Sequence, residues 1–86
     1  MTDTIRIDFA IAEGAVIRML GLIERRGFLV RGLGMTEHES GETASMVVEL
    51  SARDAGRSLD TLDLQLRRLH GITNVSVSSS AMSFAS

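Results

Sequence analysis

AEGAVIRMLGLIERRGFLVRGLGM, residues Ala12–Met35, is the stretch whose reading decides the fold. Val16, Met19, Leu20 and Ile23 fall at i, i+3, i+4 and i+7, which is one face of a helix predicted over Gly14–Arg26. Gly27 stands where the residue after a helix adopts positive φ, a conformation glycine reaches without a Cβ penalty. Phe28, Leu29 and Val30 then open a strand that runs to Glu37. Alternation sets Phe28 and Val30 on one face of that strand and Leu29, Leu33 and Met35 on the other. Gly32 and Gly34 mark a bulge, an edge or the approach of a neighbour. Gly21, inside the helix, costs about 1 kcal/mol against Ala and points to another group packed close against it.

Outward from this stretch the periods continue to alternate between two and 3.6. Upstream, Ile5, Ile7, Phe9 and Ile11 alternate with Arg6, Asp8 and Ala10, a half-buried strand. Downstream, HESGE (His38–Glu42) reads as a polar hairpin loop, and Met46, Val48 and Leu50 alternate with Ser45, Val47 and Glu49. Leu59, Leu62, Leu66 and Leu69 form one stripe of a second helix, predicted over Asp54–His70, with Gly71 as its stop and His70 in the last turn. Val75 and Val77 alternate with Asn74, Ser76 and Ser78 in a last strand over Thr73–Ser79. The residues beyond lack periodicity and read as a flexible tail.

The order β-α-β-β-α-β, with right-handed crossovers joined by a hairpin, implies an α+β ferredoxin-like fold. Its four-stranded antiparallel sheet has the order 4-1-3-2 and carries both helices on one face. Phe9, Val16, Leu20, Ile23, Val48, Leu62, Leu66 and Val75 are the expected core. The second strand is an edge of this sheet, and an exposed, fairly long edge strand is a template for pairing. Phe28, Val30, Gly32 and Gly34 are its expected dimer edge.

Composition narrows the functions. Eighty-six residues make one domain, which buries only about 60–65% of its unfolded surface, so oligomerisation is a natural source of further burial. There is no cysteine, which excludes a thiolate metal carrier and a disulfide framework. The net charge of −2, with nine basic and eleven acidic residues interspersed, argues against a nucleic-acid grip. The third strand also lacks the aromatic residues on which RNA bases stack. No run approaches the ~20 apolar residues of a membrane span, and no secretory signal opens the chain, so a cytoplasmic location is expected.

No catalytic pattern is visible. His38 among Glu37, Glu39 and Glu42 suggests a metal cluster, but the spacing is not that of a ligand set, and a solvated hairpin tip is the expectation. No Ser, Thr or Lys stands beside a histidine as an activated nucleophile would. Arg25, Arg26, Arg67 and Arg68 read as wet helix faces. The Glu13–Gly14–Ala15 turn differs, because free N–H groups at a helix start suit a small anion such as a carboxylate. A plain glycine turn into a helix is the alternative.

Gly14–Ala15, Arg18, Gly21–Leu22 and Arg26–Gly27–Phe28, followed by QLRRLHGITNVSV (Gln65–Val77), resemble the ACT domain of the small regulatory subunit of acetolactate synthase. The likeness runs over about residues 4–79. It implies one ACT-like domain over residues 1–79, with residues 80–86 as tail, of the short single-domain type. It further implies a non-catalytic homodimer paired through the second strand, which binds and activates a thiamine-diphosphate-dependent catalytic large subunit. No cofactor or metal of its own is implied. In that family a branched-chain amino acid, typically valine, binds between paired domains, and the matching positions here are Ile11, Glu13, Gly14, Ala15, Leu29 and Val30. The family usually carries Asn at the positions of Ile11 and Leu29, so valine sensing is expected to be weak or lost. A stand-alone ACT module that binds another small amino acid to regulate a different enzyme is the alternative.

Overall fold

The computed structural model describes residues 2–78. Its elements, in chain order, are β1 (Asp3–Ala10), α1 (Ala15–Arg25), β2 (Phe28–Glu37), β3 (Thr43–Ala52), α2 (Leu59–Arg67) and β4 (Ile72–Ser78). The sheet has the order β2-β3-β1-β4 with every neighbouring pair antiparallel. This is the expected ferredoxin-like topology, with β2 and β4 at the edges. The expected end of the last strand at Ser79, and the tail, lie outside the described residues.

The core lies between the sheet and the helices. Ile5, Ile7 and Phe9 from β1 meet Ala44, Met46, Val48 and Leu50 from β3, Val75 from β4 and Leu62 and Leu66 from α2. The period-two pattern of β1 and β3 places these residues on one face, and their burial supplies most of the driving force for folding. Arg67 fastens α2 down, since its Nε donates to Asp63 Oδ1 at 2.7 Å and its Nη2 to the Val75 carbonyl at 2.5 Å. It is therefore a tie between α2 and β4 and not only a wet helix face.

Several expectations are corrected. Helix α1 turns Met19, Leu22 and Ile23 into the core, while Val16 and Leu20 are only partly buried beside it. The apolar stripe is wider than four residues, and the sheet meets its other flank. Gly21 has open space where a Cβ would be, so no neighbour within the protomer requires it. Helix α2 starts at Leu59 and not at Asp54, because the Ser58 side chain accepts from the Thr61 N–H at 3.2 Å and caps it there. Its end at Arg67 leaves His70 in the turn that follows. β1 stops at Ala10, and Ile11 is 39% exposed.

A bulge reorganises β2. The register against β3 shifts between Val30 and Gly32, with Val30 opposite Leu50, Leu33 opposite Val48 and Met35 opposite Met46. One extra residue reverses the alternation. Val30, Leu33 and Met35 thus share the helix-side face, contrary to the simple alternation, while Gly32 and Gly34 lie on the open face. The extra residue, Arg31, donates from Nε to Ser51 Oγ at 3.0 Å.

Candidate functional site

The turn between β1 and α1 is built around Gly14. It is the N-cap of α1 and has φ +79°, a left-handed conformation that a side chain resists. The Ala15 N–H donates to the Ala12 carbonyl at 3.1 Å, so that donor is used by the turn itself. Arg18, one helical turn on, folds its guanidinium back over the glycine; a Cβ on Gly14 would lie 3.0 Å from Arg18 Nη1. The turn therefore sets an exposed guanidinium beside the start of a helix, where the dipole also favours negative charge. Sequence reasoning placed Gly14 and Ala15 here but gave Arg18 no such role, although its spacing from Gly14 carries the signal.

The six expected effector residues divide into two groups. Ile11, Glu13, Gly14 and Ala15 lie in the turn, anchored to the hairpin by a hydrogen bond from the Ile11 N–H to the Glu42 carbonyl, 2.9 Å. Leu29 and Val30 are half-buried and sit opposite Ser51 and Leu50. Ala10 is opposite Thr43, so the two groups are about seven residues of β3 apart, roughly 20–25 Å at ~3.3 Å per residue. Within one protomer they do not meet.

The expected dimer edge is exposed in part. Gly34 has open space around it, Gly32 is closed in by the Glu49 carboxylate, and Phe28 is directed into the core, 1% exposed. Leu33 and Met35, which the sequence reading did not assign to this edge, are half-exposed on it.

A second polar cluster occupies the open face of the sheet. Ser45 Oγ, nine-tenths buried, donates to Asp8 Oδ1 at 2.5 Å and accepts from Arg6 Nη2 at 3.2 Å. Because the only hydroxyl proton of Ser45 is on Asp8, His38 Nε2 must be the donor in its 2.9 Å contact with Ser45 Oγ. His38 Nδ1 then lies 2.7 Å from Thr43 Oγ1. The Ser45 hydrogen bond lowers the Asp8 pKa most; partial burial opposes it, and the Arg6 guanidinium lowers it further. Ser45 stands between His38 and Asp8 and donates its hydroxyl hydrogen to the carboxylate, so the histidine is not placed as the base of a Ser-His-Asp triad. His38 is exposed at the hairpin, as expected of a solvated tip, and its ring is hydrogen-bonded to Thr43 and Ser45. Among the described residues no group of three or more His, Cys, Asp or Glu side chains converges as a metal site. No helix among them is long and apolar enough to cross a membrane.

Comparison with known proteins agrees with the fold. A family model described as ACT domain matches residues 12–75. No curated protein matches the sequence. Among solved structures, an ACT domain protein from Streptococcus pneumoniae superposes with TM-score 0.76 at 16% identity, covering 95% of this chain and 92% of that one. The ACT domain of GTP pyrophosphokinase from Chlorobium tepidum gives 0.72 at 18%, covering 90% and 96%. The small subunit of acetolactate synthase from Thermotoga maritima gives 0.73 at 17%, covering 90% of this chain and 47% of that one. At such identities these likenesses establish the fold.

Proposed function

The chain belongs to the ACT-domain family, a regulatory type of module, and from that premise we propose that it is a non-catalytic subunit of acetolactate synthase. In this reading it forms a homodimer through β2 and binds and activates a catalytic large subunit. The observation that carries the reading is the Gly14 turn with Arg18 folded over it, set in the same order as the motif residues Gly21–Leu22 and Arg26–Gly27–Phe28. The Thermotoga maritima small subunit, among the superposable structures, supports it at the level of fold.

Pairing through β2 also accounts for the divided effector residues. Two β2 strands related by a two-fold axis run antiparallel, so the start of one lies beside the end of the other. Leu29 and Val30 of one copy then approach the end of the partner sheet that carries Ile11, Glu13, Gly14 and Ala15. Charge favours the same arrangement. Arg31 and Arg53 lie toward one end of the β2–β3 pair, and Glu37, Glu39 and Glu42 lie at the other. The effector site proposed here is shared between two copies.

The side chains at this shared site bear on what it senses. Ile11 and Leu29 stand where amide groups would hold the charged ends of an amino acid, and each lost polar partner costs about 1–3 kcal/mol. Valine feedback is accordingly weak or lost. The test is to mix the purified chain with an acetolactate synthase catalytic subunit from the same source. The expected result is co-migration and raised activity, changed little by millimolar valine. Absence of both co-migration and activation refutes the assignment.

The apolar Ile11 and Leu29 also favour a second reading, an ACT module that binds a different small amino acid and regulates another enzyme. Thermal-shift screening of the twenty amino acids separates the two, because a saturable shift with a residue other than valine, without activation of the synthase, selects the second.

A further inference from the structure

The open face of the sheet carries a cavity of about 510 Å³ on the opposite side from the helices, lined by Arg6, Gly34, Thr36, His38, Ser45 and Val47, with Met35 at its margin. It is distinct from the Gly14 turn. Its floor is Gly34, and this glycine has no reason inside the protomer. Its φ is not positive, and an added Cβ would meet nothing within 4 Å. Glycine in a strand costs conformational entropy and commonly marks the close approach of a ligand or another backbone. Lateral pairing of β2 with a second copy does not explain it, since a paired strand lies about 4.8 Å away in the plane of the sheet while a Cβ points out of that plane.

The groups around this floor have defined capacities. Arg6 is 57% exposed and spends two of its N–H groups, one from Nε on Asp8 and one from Nη2 on Ser45. A guanidinium has five N–H donors, so an edge suited to a carboxylate remains. Ser45 and His38 are engaged with one another and with Asp8 and Thr43, which holds Arg6 in place from below. Val47, 41% exposed beside Gly34, is the apolar wall.

We propose that this cavity binds a small aliphatic carboxylate, its carboxylate on Arg6 and its hydrocarbon tail lying over Gly34 against Val47. The ammonium group of an amino acid has no charged partner here, because no carboxylate is among the described residues that line the cavity. The ligand class therefore differs from that of the Gly14 turn.

The experiment is a titration of the ¹⁵N-labelled full chain with isovalerate, followed by amide chemical shifts, with valine and inorganic phosphate as parallel arms. Saturable shifts at Gly34, Ser45 and Val47 with isovalerate are expected. Arg6→Gln and Gly34→Val should each weaken them at least tenfold, the first by removing the cation and the second by filling the floor. Arg18→Gln should leave them unchanged. Shifts confined to Gly14–Arg18 overturn the proposal, as does undiminished binding in Arg6→Gln. Equal affinity for phosphate also overturns it, because the tail would then contribute nothing. If Arg6→Gln fails to fold, Gly34→Val alone decides, since it removes no hydrogen bond and has open space to occupy.

Discussion

Replacement of Gly21 by alanine is the sharpest test of the packing described above. Gly21 lies in the middle of α1, and a Cβ there would have no heavy atom within 4 Å apart from the helix's own backbone and chain neighbours. Glycine at a helix interior is about 1 kcal/mol less favourable than alanine. Much of that difference arises because alanine restricts the unfolded chain. No steric term opposes it, so Gly21→Ala should stabilise the protein by about 1 kcal/mol. For a domain of this size that corresponds to a rise of about 4–8 °C in Tm. The assay is urea unfolding at two protein concentrations, which separates folding from self-association. The midpoint should rise with the slope m unchanged. A loss of stability would refute the reasoning and show that Gly21 packs against something, as the sequence alone suggested. If the isolated chain gains stability but binding to the proposed catalytic subunit weakens, the neighbour of Gly21 belongs to that complex.

Leu66 is fully buried under the sheet, so Leu66→Ala should cost about 2–5 kcal/mol in urea unfolding, whereas half-buried Leu20→Ala should cost less than about 2 kcal/mol. Gly14→Ala forces a side chain into the left-handed region beside Arg18 and should cost about 1–2 kcal/mol, visible as a lower urea midpoint together with weaker binding at the turn. Asp8 has a lowered pKa in the folded state. It therefore contributes stability above its unfolded value of about 3.9, and that contribution is lost as pH falls through the folded value; Asp8→Asn should flatten the stability profile in this acid range. Leu33→Glu, on the exposed edge, should weaken self-association in sedimentation while leaving the circular dichroism of the fold intact.

The element order, the sheet topology and most of the strand core were legible in the sequence because they follow from local periods. Ile5, Ile7 and Phe9 alternate, and so do Met46, Val48 and Leu50; a period of two admits one burial pattern in each strand. The glycine turn at Gly14 was legible as well, since it needs only local backbone geometry. The width of the apolar stripe of α1 was less decisive. Val16, Met19, Leu20, Leu22 and Ile23 span more than one face, and only contact with the sheet selects Met19, Leu22 and Ile23 for full burial.

By itself, then, the sequence determined what depends on neighbours along the chain: the periods of the strands and helices and the stop of α1 at Gly27. Tertiary structure alone decided what depends on register. The bulge at Arg31 moves Leu33 and Met35 to the face of Val30; Gly32 left a bulge open as one of three readings, and only pairing with β3 selects and places it. Asp8, His38 and Ser45 are dispersed along the chain and meet only because Asp8 pairs with Ser45 across β1 and β3 while the hairpin folds His38 over them. The separation of Leu29 from Gly14 has the same origin. Strands of fixed rise hold the two groups at opposite ends of one sheet, so they do not meet within one protomer.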